Sequence, residues 1–362
     1  MKEEPVKLGL IGASGFIGLR TAEILSGDSQ WDVRHIVRSP ASLAVLARQR
    51  FNWKIANFLS ESELASALAE CSVCIHAAIG DPSQITLMAE KTYAACALAG
   101  VRRLVWLSSA SVHGQSPLPG TNEESSLCDR HPLKYNNAKV RAEWTLQRCA
   151  TNGMVEVVRL RPSIVFGPRS RWIGEVAKSF RDGGACWLER GQGFCNTIYI
   201  DNLVHAIKLC ATHPEASGGV FLIGDNEIIR WRDFLLPIAR HFCATESSFT
   251  EGIPCAVSDE KEGLFSSIRE LSAYKYGCAR LPYRLKRIVK NAVAGWNDQL
   301  VPASEWQPLR ANRTRMTLEM TLLQQCKWIL SSEKARNTIG YRPPISFSEG
   351  MCNSLAWLDF VK

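Results

Sequence analysis

The stretch VKLGLIGASGFIGLRTAEIL, residues 6–25, decides the fold of this chain. A strand-like apolar run precedes Gly12, Gly15 and Gly18, and a helical run follows them. Glycines at this spacing serve a sharp strand-to-helix turn, a close approach of backbone to a pyrophosphate, and helix–strand packing without an intervening Cβ. The helix N-terminus then offers N–H groups to the phosphates. The stretch therefore predicts a dinucleotide-binding turn, with a purely structural glycine turn as the simpler alternative.

Outward from this turn, short apolar runs alternate with helix-length segments. Strands are predicted over Val6–Ile11, Asp32–Val37, Asn52–Ala56, Ser72–Ala78, Arg102–Ser109 and Val155–Leu160. Such alternation is typical of an α/β fold with a doubly wound parallel (Rossmann) sheet.

After Pro162 the alternation loosens. Two later strand candidates, Thr197–Ile200 and Gly219–Gly224, are expected to rejoin the sheet. We therefore expect an NAD(P)-binding domain over residues 1–166, to which 196–224 return. A smaller, discontinuous C-terminal substrate domain is expected over 167–195 and 225–362.

The end of the second strand bears on the choice of nucleotide. An NAD site usually places a carboxylate there for the ribose 2′-OH, whereas this chain has Arg38 and Ser39, which suit a 2′-phosphate. Asp32 comes too early in the strand to replace that carboxylate. The sequence thus favours NADP(H) over NAD(H), the alternative being a solvated loop arginine at position 38.

Composition excludes several classes of protein. Of 362 residues, 46% are hydrophobic and 22% charged, as in an ordinary globular enzyme. Without an 18-residue apolar run or a leader-like N-terminus, we expect no integral membrane segment and a cytoplasmic location. The net charge of +8 is diffuse, which argues against nucleic-acid binding. The 13 cysteines are scattered; Cys71 and Cys74 have metal-ligand spacing but no second pair, so no metal is expected.

Polar residues that could carry out chemistry follow the fifth strand. Ser109 stands at the tip of that strand in WLSSASVHG, and Tyr135 and Lys139 are four residues apart in YNNAK. Residues four apart share a helix face, so the two side chains can meet Ser109 beside a dinucleotide at the carboxyl edge of the sheet. The spacing predicts a site for proton transfer.

With these motifs in place, the chain resembles the extended short-chain dehydrogenase/reductase superfamily, in its epimerase and hydroxysteroid-dehydrogenase-like branch. The matching pieces occur in the family's order over nearly the whole chain: GASGFIG, HAAIG, LVWLSSASVHG, YNNAK, RLRPSIVFGP, TIYIDNLVHAI, GVFLIGD and KARNTIGYRPPISFSEG.

The resemblance implies roles for individual residues. Tyr135 is expected to be the acid/base, Lys139 to lower its pKa and hold the nicotinamide ribose, and Ser109 to bind the substrate oxygen. The expected cofactor-binding residues are Gly12, Ser14, Gly15, Phe16, Ile17, Gly18, Arg38, Ser39, Asn57, Phe58, Ala77, Ala78, Tyr135, Lys139, Pro162, Ser163 and Ile164. The expected substrate-binding residues are Ser111, His113, Ser163 and Arg169.

A homodimer is also implied, paired through the helices after the fourth and fifth strands. Val140, Trp144 and Gln147 are expected on the pairing side.

The reaction expected from the resemblance is hydride transfer between nicotinamide C4 and a secondary alcohol or ketone. A bulky, apolar (sterol-, lipid- or polyketide-like) small molecule is favoured as substrate. Nucleotide-sugar members commonly carry an arginine where this chain has Gly193–Asn196, and an asparagine where it has Ser163. A nucleotide-sugar epimerase or dehydratase stays the alternative, with Arg169, Arg171 or Arg190 as substitutes for that arginine. A non-catalytic NADP-binding regulator is the second alternative.

Three further features bear on these expectations. The family often has Asp at position 57, near the adenine, and Asn at position 85, where this chain has Asn57 and Ile85. A basic amphipathic helix is predicted over residues 284–296, either packed in the substrate domain or at a membrane surface.

Overall fold

A seven-stranded, all-parallel sheet forms the centre of the molecule. The computed structural model describes residues 4–46, 51–182, 185–256 and 316–360. In chain order the strands of this part are β1 Val6–Ile11, β2 Trp31–Val37, β3 Asn52–Ile55, β4 Val73–His76, β5 Arg103–Leu107, β6 Glu156–Pro162, β7 Ile164–Phe166, β8 Cys186–Trp187, β9 Thr197–Tyr199, β10 Val220–Ile223 and β11 Thr250–Glu251. The sheet order is β10-β6-β5-β4-β1-β2-β3. Because the order reverses between β1 and β4, a crevice opens there at the carboxyl edge.

Helices cover both faces of the sheet, as the predicted doubly wound fold requires. They are α1 Phe16–Ser26, α2 Leu43–Leu46, α3 Glu61–Leu68, α4 Pro82–Leu98, α5 Lys134–Ala150, α6 Arg171–Arg181, α7 Ile200–Thr212, α8 Trp231–His241, α9 Leu318–Gln324, α10 Glu333–Ile339 and α11 Phe347–Phe360. One apolar cluster joins the sheet to α1, α7 and α10, and a second joins it to α3, α4 and α5. The fold class expected from the sequence is confirmed.

The strand predicted over Thr197–Ile200 does not rejoin the central sheet. β9 pairs instead with β7, residue Ile164 opposite Thr197. The position beside β6 is taken by β10, in which Val220 lies opposite Arg159. With that edge occupied, β9 pairs beyond the end of β6, where it supports the C-terminal side of the crevice.

A third apolar cluster holds the second part of the chain together. It is rich in aromatic side chains from β7, β9, α8 and α11, including Phe166, Trp231, Phe234 and Phe347. Residues of α10, which we expected in the substrate domain, pack instead in the core of the sheet together with Tyr341, whose hydroxyl donates to the Gly224 carbonyl at 3.1 Å. The other domain boundaries stay a prediction.

Within the described residues, no helix is long and apolar enough to cross a membrane. The helix predicted over 284–296 lies outside the described residues.

Candidate active site

The glycine turn between β1 and α1 has no room for a side chain at Gly12 or Gly18. Gly12 has a φ of +86°, and a Cβ there would lie 2.6 Å from the Ala78 nitrogen. A Cβ on Gly18 would lie 2.1 Å from the Gly12 carbonyl oxygen. Gly15 precedes α1, and no side chain caps that helix. Gly12 and Gly15 donate their N–H groups to carbonyls of the protein, whereas the N–H groups of the first turn of α1 are left for a ligand, and the turn fits the pyrophosphate of a dinucleotide.

A cavity of about 430 Å³ opens beside this turn. Its lining includes most of the expected cofactor residues: Gly12, Ser14, Gly15, Phe16, Ile17, Arg38, Asn57, Phe58, Ala77 and Ala78. Of the other expected cofactor residues, Tyr135, Lys139, Pro162, Ser163 and Ile164 line the larger cavity described below. Gly18, which packs against the Gly12 carbonyl, and Ser39, whose hydroxyl lies 3.2 Å from that of Ser42, line neither cavity. Ser42 lines the smaller cavity and was not expected from the sequence.

The two residues that bear on nucleotide choice differ in their surroundings. Arg38 is exposed and, among the described residues, makes no ion pair, so its guanidinium is available to a phosphate. The Asn57 side-chain carbonyl accepts a hydrogen bond from the Leu59 backbone N–H at 3.1 Å. Ile85 is buried in an apolar cluster.

A larger cavity of about 690 Å³ continues from the first, since Phe16, Ile17 and Ala77–Ile79 line both. The following residues expected from the sequence line it: Ser109, Ser111, Tyr135, Lys139, Pro162, Ser163, Ile164 and Arg169. The cleft as a whole runs along the carboxyl edge of the sheet. A dinucleotide and a second, smaller molecule can therefore lie end to end in it.

Ser109, Tyr135 and Lys139 meet in this cavity. Ser109 follows β5 and caps a short 3-10 turn by accepting from the Ser111 backbone N–H at 3.2 Å. Its hydroxyl is also hydrogen-bonded with Tyr135. One helical turn after Tyr135, Lys139 donates from Nζ to the Leu107 carbonyl at 2.7 Å. The strand end and the helix thus hold the three side chains together.

Burial sets the protonation of both α5 residues. It raises the pKa of Tyr135 to about 12, although the hydrogen bond with Ser109 and the charge of Arg171 act to lower it. Burial lowers the pKa of Lys139 from its ordinary 10.5 to about 8, while the charge of Glu143 acts to raise it. At neutral pH the phenol is therefore protonated and the lysine mostly cationic. The Lys139 Nζ lies 5.8 Å from the centroid of the Tyr135 ring.

A buried ion pair supports α5 from behind. Arg161 donates hydrogen bonds to the carboxylate of Glu143, from Nε to Oε1 at 2.9 Å and from Nη2 to Oε2 at 2.7 Å. The Ser108 hydroxyl also donates to Glu143. His113, expected to bind substrate, accepts from Arg161 at 3.1 Å instead, and it does not line the cavity. Burial, followed by the charge of Arg161, lowers the pKa of His113 to about 4, so its ring is neutral.

Beneath Lys139 lie two stacked rings that we did not single out from the sequence. His76 at the end of β4 and Trp106 in β5 have ring centroids 4.1 Å apart, and the Lys139 Nζ lies 5.4 Å from the Trp106 centroid. Burial, with the charge of Lys139, lowers the pKa of His76 to about 3. The neutral stack forms the floor of the site. Among the described residues, no group of three or more His, Cys, Asp or Glu side chains could hold a metal ion.

The outer wall of the larger cavity comes from parts of the chain that are distant in sequence. It is mostly apolar, and contributors that the sequence did not indicate are Trp172, Phe194, Glu319, Leu323, Cys326 and Leu330. Asn196 joins this wall by donating to the Trp328 carbonyl at 3.0 Å and accepting from the Leu330 N–H at 2.8 Å. Since these partners lie more than a hundred residues away, no local pattern could have indicated them.

Comparison with known proteins agrees with this description. A family model described as NAD(P)H-binding matches residues 12–156. A UDP-glucose 4-epimerase of Vibrio cholerae is 25% identical over 256 residues, which cover 66% of this chain and 76% of that protein. A 3beta-hydroxysteroid-dehydrogenase/decarboxylase (isoform 1) of Arabidopsis thaliana is 23% identical over 281 residues, 74% of this chain and 56% of that protein. The chain thus spans little more than half the length of the plant relative.

The fold is also similar to that of solved enzymes. A UDP-glucuronic acid 4-epimerase from Bacillus cereus, determined with UDP-glucuronic acid and NAD, has a TM-score of 0.68 at 16% identity, covering 98% of this chain and 100% of that one. A dTDP-glucose 4,6-dehydratase from Streptomyces venezuelae, with NAD bound, has a TM-score of 0.69 at 16% identity over 98% and 97% of the two chains. With its glycine turn and its cleft, the chain thus contains an NAD(P)H-binding domain over residues 12–156 and shares its fold with these enzymes.

Proposed function

We propose that the chain is an NAD(P)-dependent oxidoreductase that interconverts a secondary alcohol and a ketone on a bulky, apolar molecule. The observation that carries the proposal is the meeting of Ser109, Tyr135 and Lys139 at a mostly apolar cavity continuous with the dinucleotide cleft. A proton donor or acceptor beside a nicotinamide is the combination that hydride transfer requires.

The residues divide the reaction between them. A bound NAD(P) supplies the hydride acceptor or donor. In reduction, the carbonyl carbon gains a hydride and Tyr135, which is protonated at neutral pH, gives its proton to the carbonyl oxygen. In oxidation, the carbinol carbon loses its hydride, and the hydroxyl proton passes to Tyr135 in its phenolate form, which requires that the phenol first release its own proton. Ser109 orients the substrate oxygen by hydrogen bonding. Burial raises the pKa of Tyr135, and we propose that the charge of Lys139, with its Nζ 5.8 Å from the Tyr135 ring centroid, stabilises the phenolate form when the cofactor and substrate are bound.

The wall of the cavity supports an apolar substrate. Phe194 stands in the segment where nucleotide-sugar members of the family commonly carry an arginine, and its backbone N–H donates to the Cys326 carbonyl at 2.8 Å. The amide of Asn196 is engaged with the C-terminal segment. Arg169 is in an ion pair with Glu23 at 3.0 Å. Arg171 also lines the cavity and pairs with Glu319 at 2.6 Å, so neither Arg169 nor Arg171 can clamp a pyrophosphate without giving up a carboxylate partner.

A nucleotide-sugar epimerase or dehydratase is the second candidate, favoured by the similarity to the Vibrio epimerase. The test is to incubate the protein and NADP(H) or NAD(H) with two panels, hydrophobic ketones and alcohols, and UDP-, GDP- and dTDP-sugars. The reduced cofactor is followed by absorbance and the sugars by chromatography. Conversion within the hydrophobic panel is expected. Conversion of a nucleotide sugar alone contradicts the proposal, and inertness toward both panels favours a non-catalytic NADP-binding regulator.

For the cofactor, we propose that Arg38 gives a preference for NADP(H) by binding the 2′-phosphate. Arg38→Asp is expected to weaken NADPH at least about tenfold more than NADH, because a charge-assisted contact becomes a repulsion. Titration of cofactor fluorescence measures both affinities without a substrate. Arg342→Asp, at an exposed arginine after α10, is the control. Equal weakening of the two cofactors by Arg38→Asp contradicts this preference.

We also propose a homodimer formed through α4 and α5. Trp144 and Leu98 are 42% and 67% exposed on these helices, and Gln147 is exposed too. Val140, which we expected on the pairing side, is buried within the chain, because it faces the sheet side of α5. The exposed tryptophan supports a partner at this surface. A cytoplasmic location stays a prediction from composition.

A further inference from the structure

An ion pair stands in the wall of the otherwise mostly apolar cavity, and the proposed reaction leaves it without a role. Arg171, the first residue of α6, donates from Nη2 to Oε1 of Glu319 in α9 at 2.6 Å. Both side chains line the cavity beside the catalytic residues. The guanidinium also lies 4.2 Å from the centroid of the Trp172 ring. The ring fixes one face of the guanidinium, so its edge faces its partners.

The surroundings of this ion pair favour a replacement of Glu319 by another anion over a role of the pair in stabilising the fold. The Arg171 and Glu319 side chains are 53% and 32% exposed, and ion pairs that open to water contribute little to stability. Among the described residues, the Nε and Nη1 atoms of Arg171 donate to no acceptor. The guanidinium thus keeps donors for a planar, bidentate anion. A carboxylate on a ligand has the same shape as the Glu319 carboxylate that it would replace on Arg171.

Both charges act on the catalytic phenol. The Arg171 guanidinium lowers the pKa of Tyr135 and the Glu319 carboxylate raises it. Since Arg171 and Tyr135 line the same cavity, an anion held by Arg171 shares that cavity with the carbon whose oxygen meets Tyr135.

We infer that Arg171 binds a carboxylate on the substrate itself, next to the reacting carbon, with Glu319 giving way to it. The substrate class is then an apolar hydroxy acid or the matching keto acid. This inference rests on the proposed alcohol–ketone reaction and narrows it.

The test compares acids with uncharged partners. Long-chain 2- and 3-hydroxy acids and their primary amides are oxidised with NADP⁺ and NAD⁺, and kcat/KM is taken from the absorbance of the reduced cofactor. The kcat/KM of an acid is expected to exceed that of its amide by about tenfold or more, because the amide cannot make the charge-assisted contact with Arg171. Equal values for acid and amide overturn the inference and leave the proposed reaction standing. If neither the acids nor the amides are oxidised, both the inference and the proposed alcohol–ketone reaction are wrong.

Two substitutions distinguish binding of a substrate carboxylate by Arg171 from a purely structural ion pair between α6 and α9. The preference for the acid is the ratio of kcat/KM for the acid to kcat/KM for its amide. Glu319→Gln removes the competing carboxylate, so this ratio is expected to rise. Arg171→Gln removes the binding group, so the ratio is expected to fall close to one. If the pair only ties α6 to α9, the two variants shift the preference alike or not at all, and the inference fails. Glu246→Gln, which breaks a remote exposed pair with Arg190, is the control. Cofactor titration confirms that each variant is folded.

Discussion

Removal of the buried carboxylate of Glu143 in α5 is expected to destabilise the protein strongly. Glu143 is fully buried, and Arg161, with a side chain only 3% exposed, holds it through two hydrogen bonds. Glu143→Gln keeps the shape but leaves the guanidinium without its counter-charge. Breaking one side of a buried ion pair costs about 3–5 kcal/mol. Urea denaturation at pH 7, followed by tryptophan fluorescence, should show a loss of this size in the free energy of unfolding.

Two comparisons make the result decisive. Glu70→Gln, which removes one partner of the exposed pair with Lys7, is expected to leave the urea midpoint unchanged. The double variant Glu143→Met/Arg161→Met removes both buried charges and should regain more than half of the loss. If Glu143→Gln is as stable as Glu70→Gln, or if the double variant is worse than the single one, the buried charge pair does not hold α5 as described.

Three further outcomes are expected. Gly18→Ala should abolish NAD(P)H binding in a fluorescence titration, because its Cβ would lie 2.1 Å from the Gly12 oxygen; Gly174→Ala, with open space around it, should bind normally. Burial lowers the pKa of Lys139 from 10.5 to about 8, so between these values the unfolded chain binds the extra proton. Relative to Lys139→Met, stability should therefore rise by about 1.4 kcal/mol per pH unit across that window, measured by urea denaturation; a flat difference contradicts the lowered pKa. Trp144→Glu should convert a dimer to a monomer in sedimentation at micromolar concentration, and a monomeric unsubstituted protein contradicts the proposed pairing.

The elements nearest the dinucleotide turn could be predicted from the sequence because their signals are local. The positive φ of Gly12 and the close approach of Gly18 to the Gly12 carbonyl are properties of one turn, and the period of the apolar residues indicates strand or helix without any knowledge of partners. Tyr135 and Lys139 are one helical turn apart, so their spacing alone places them on one face. These are short-range constraints.

The misplaced features depend on long-range competition. β9 has the composition of a sheet strand, but the edge beside β6 is taken by β10. His113 follows the catalytic serine closely, yet its ring turns to Arg161, which is far along the chain. The cavity wall near Leu330 is positioned by Asn196. Such pairings depend on which of several segments, distant in sequence, occupies a given position in the fold. A local sequence pattern does not contain that information.

The central claim, that Tyr135 moves the proton during hydride transfer, is tested most directly by the turnover and cofactor affinity of Tyr135→Phe. Tyr93→Phe, at a tyrosine that does not line the cleft and bonds to Asn152, is the matched control. On the best substrate of the hydrophobic panel, Tyr135→Phe is expected to lose about 10²–10⁴-fold in kcat while its NAD(P)H affinity stays within about twofold, and Tyr93→Phe keeps both. Near-normal turnover by Tyr135→Phe would contradict the account.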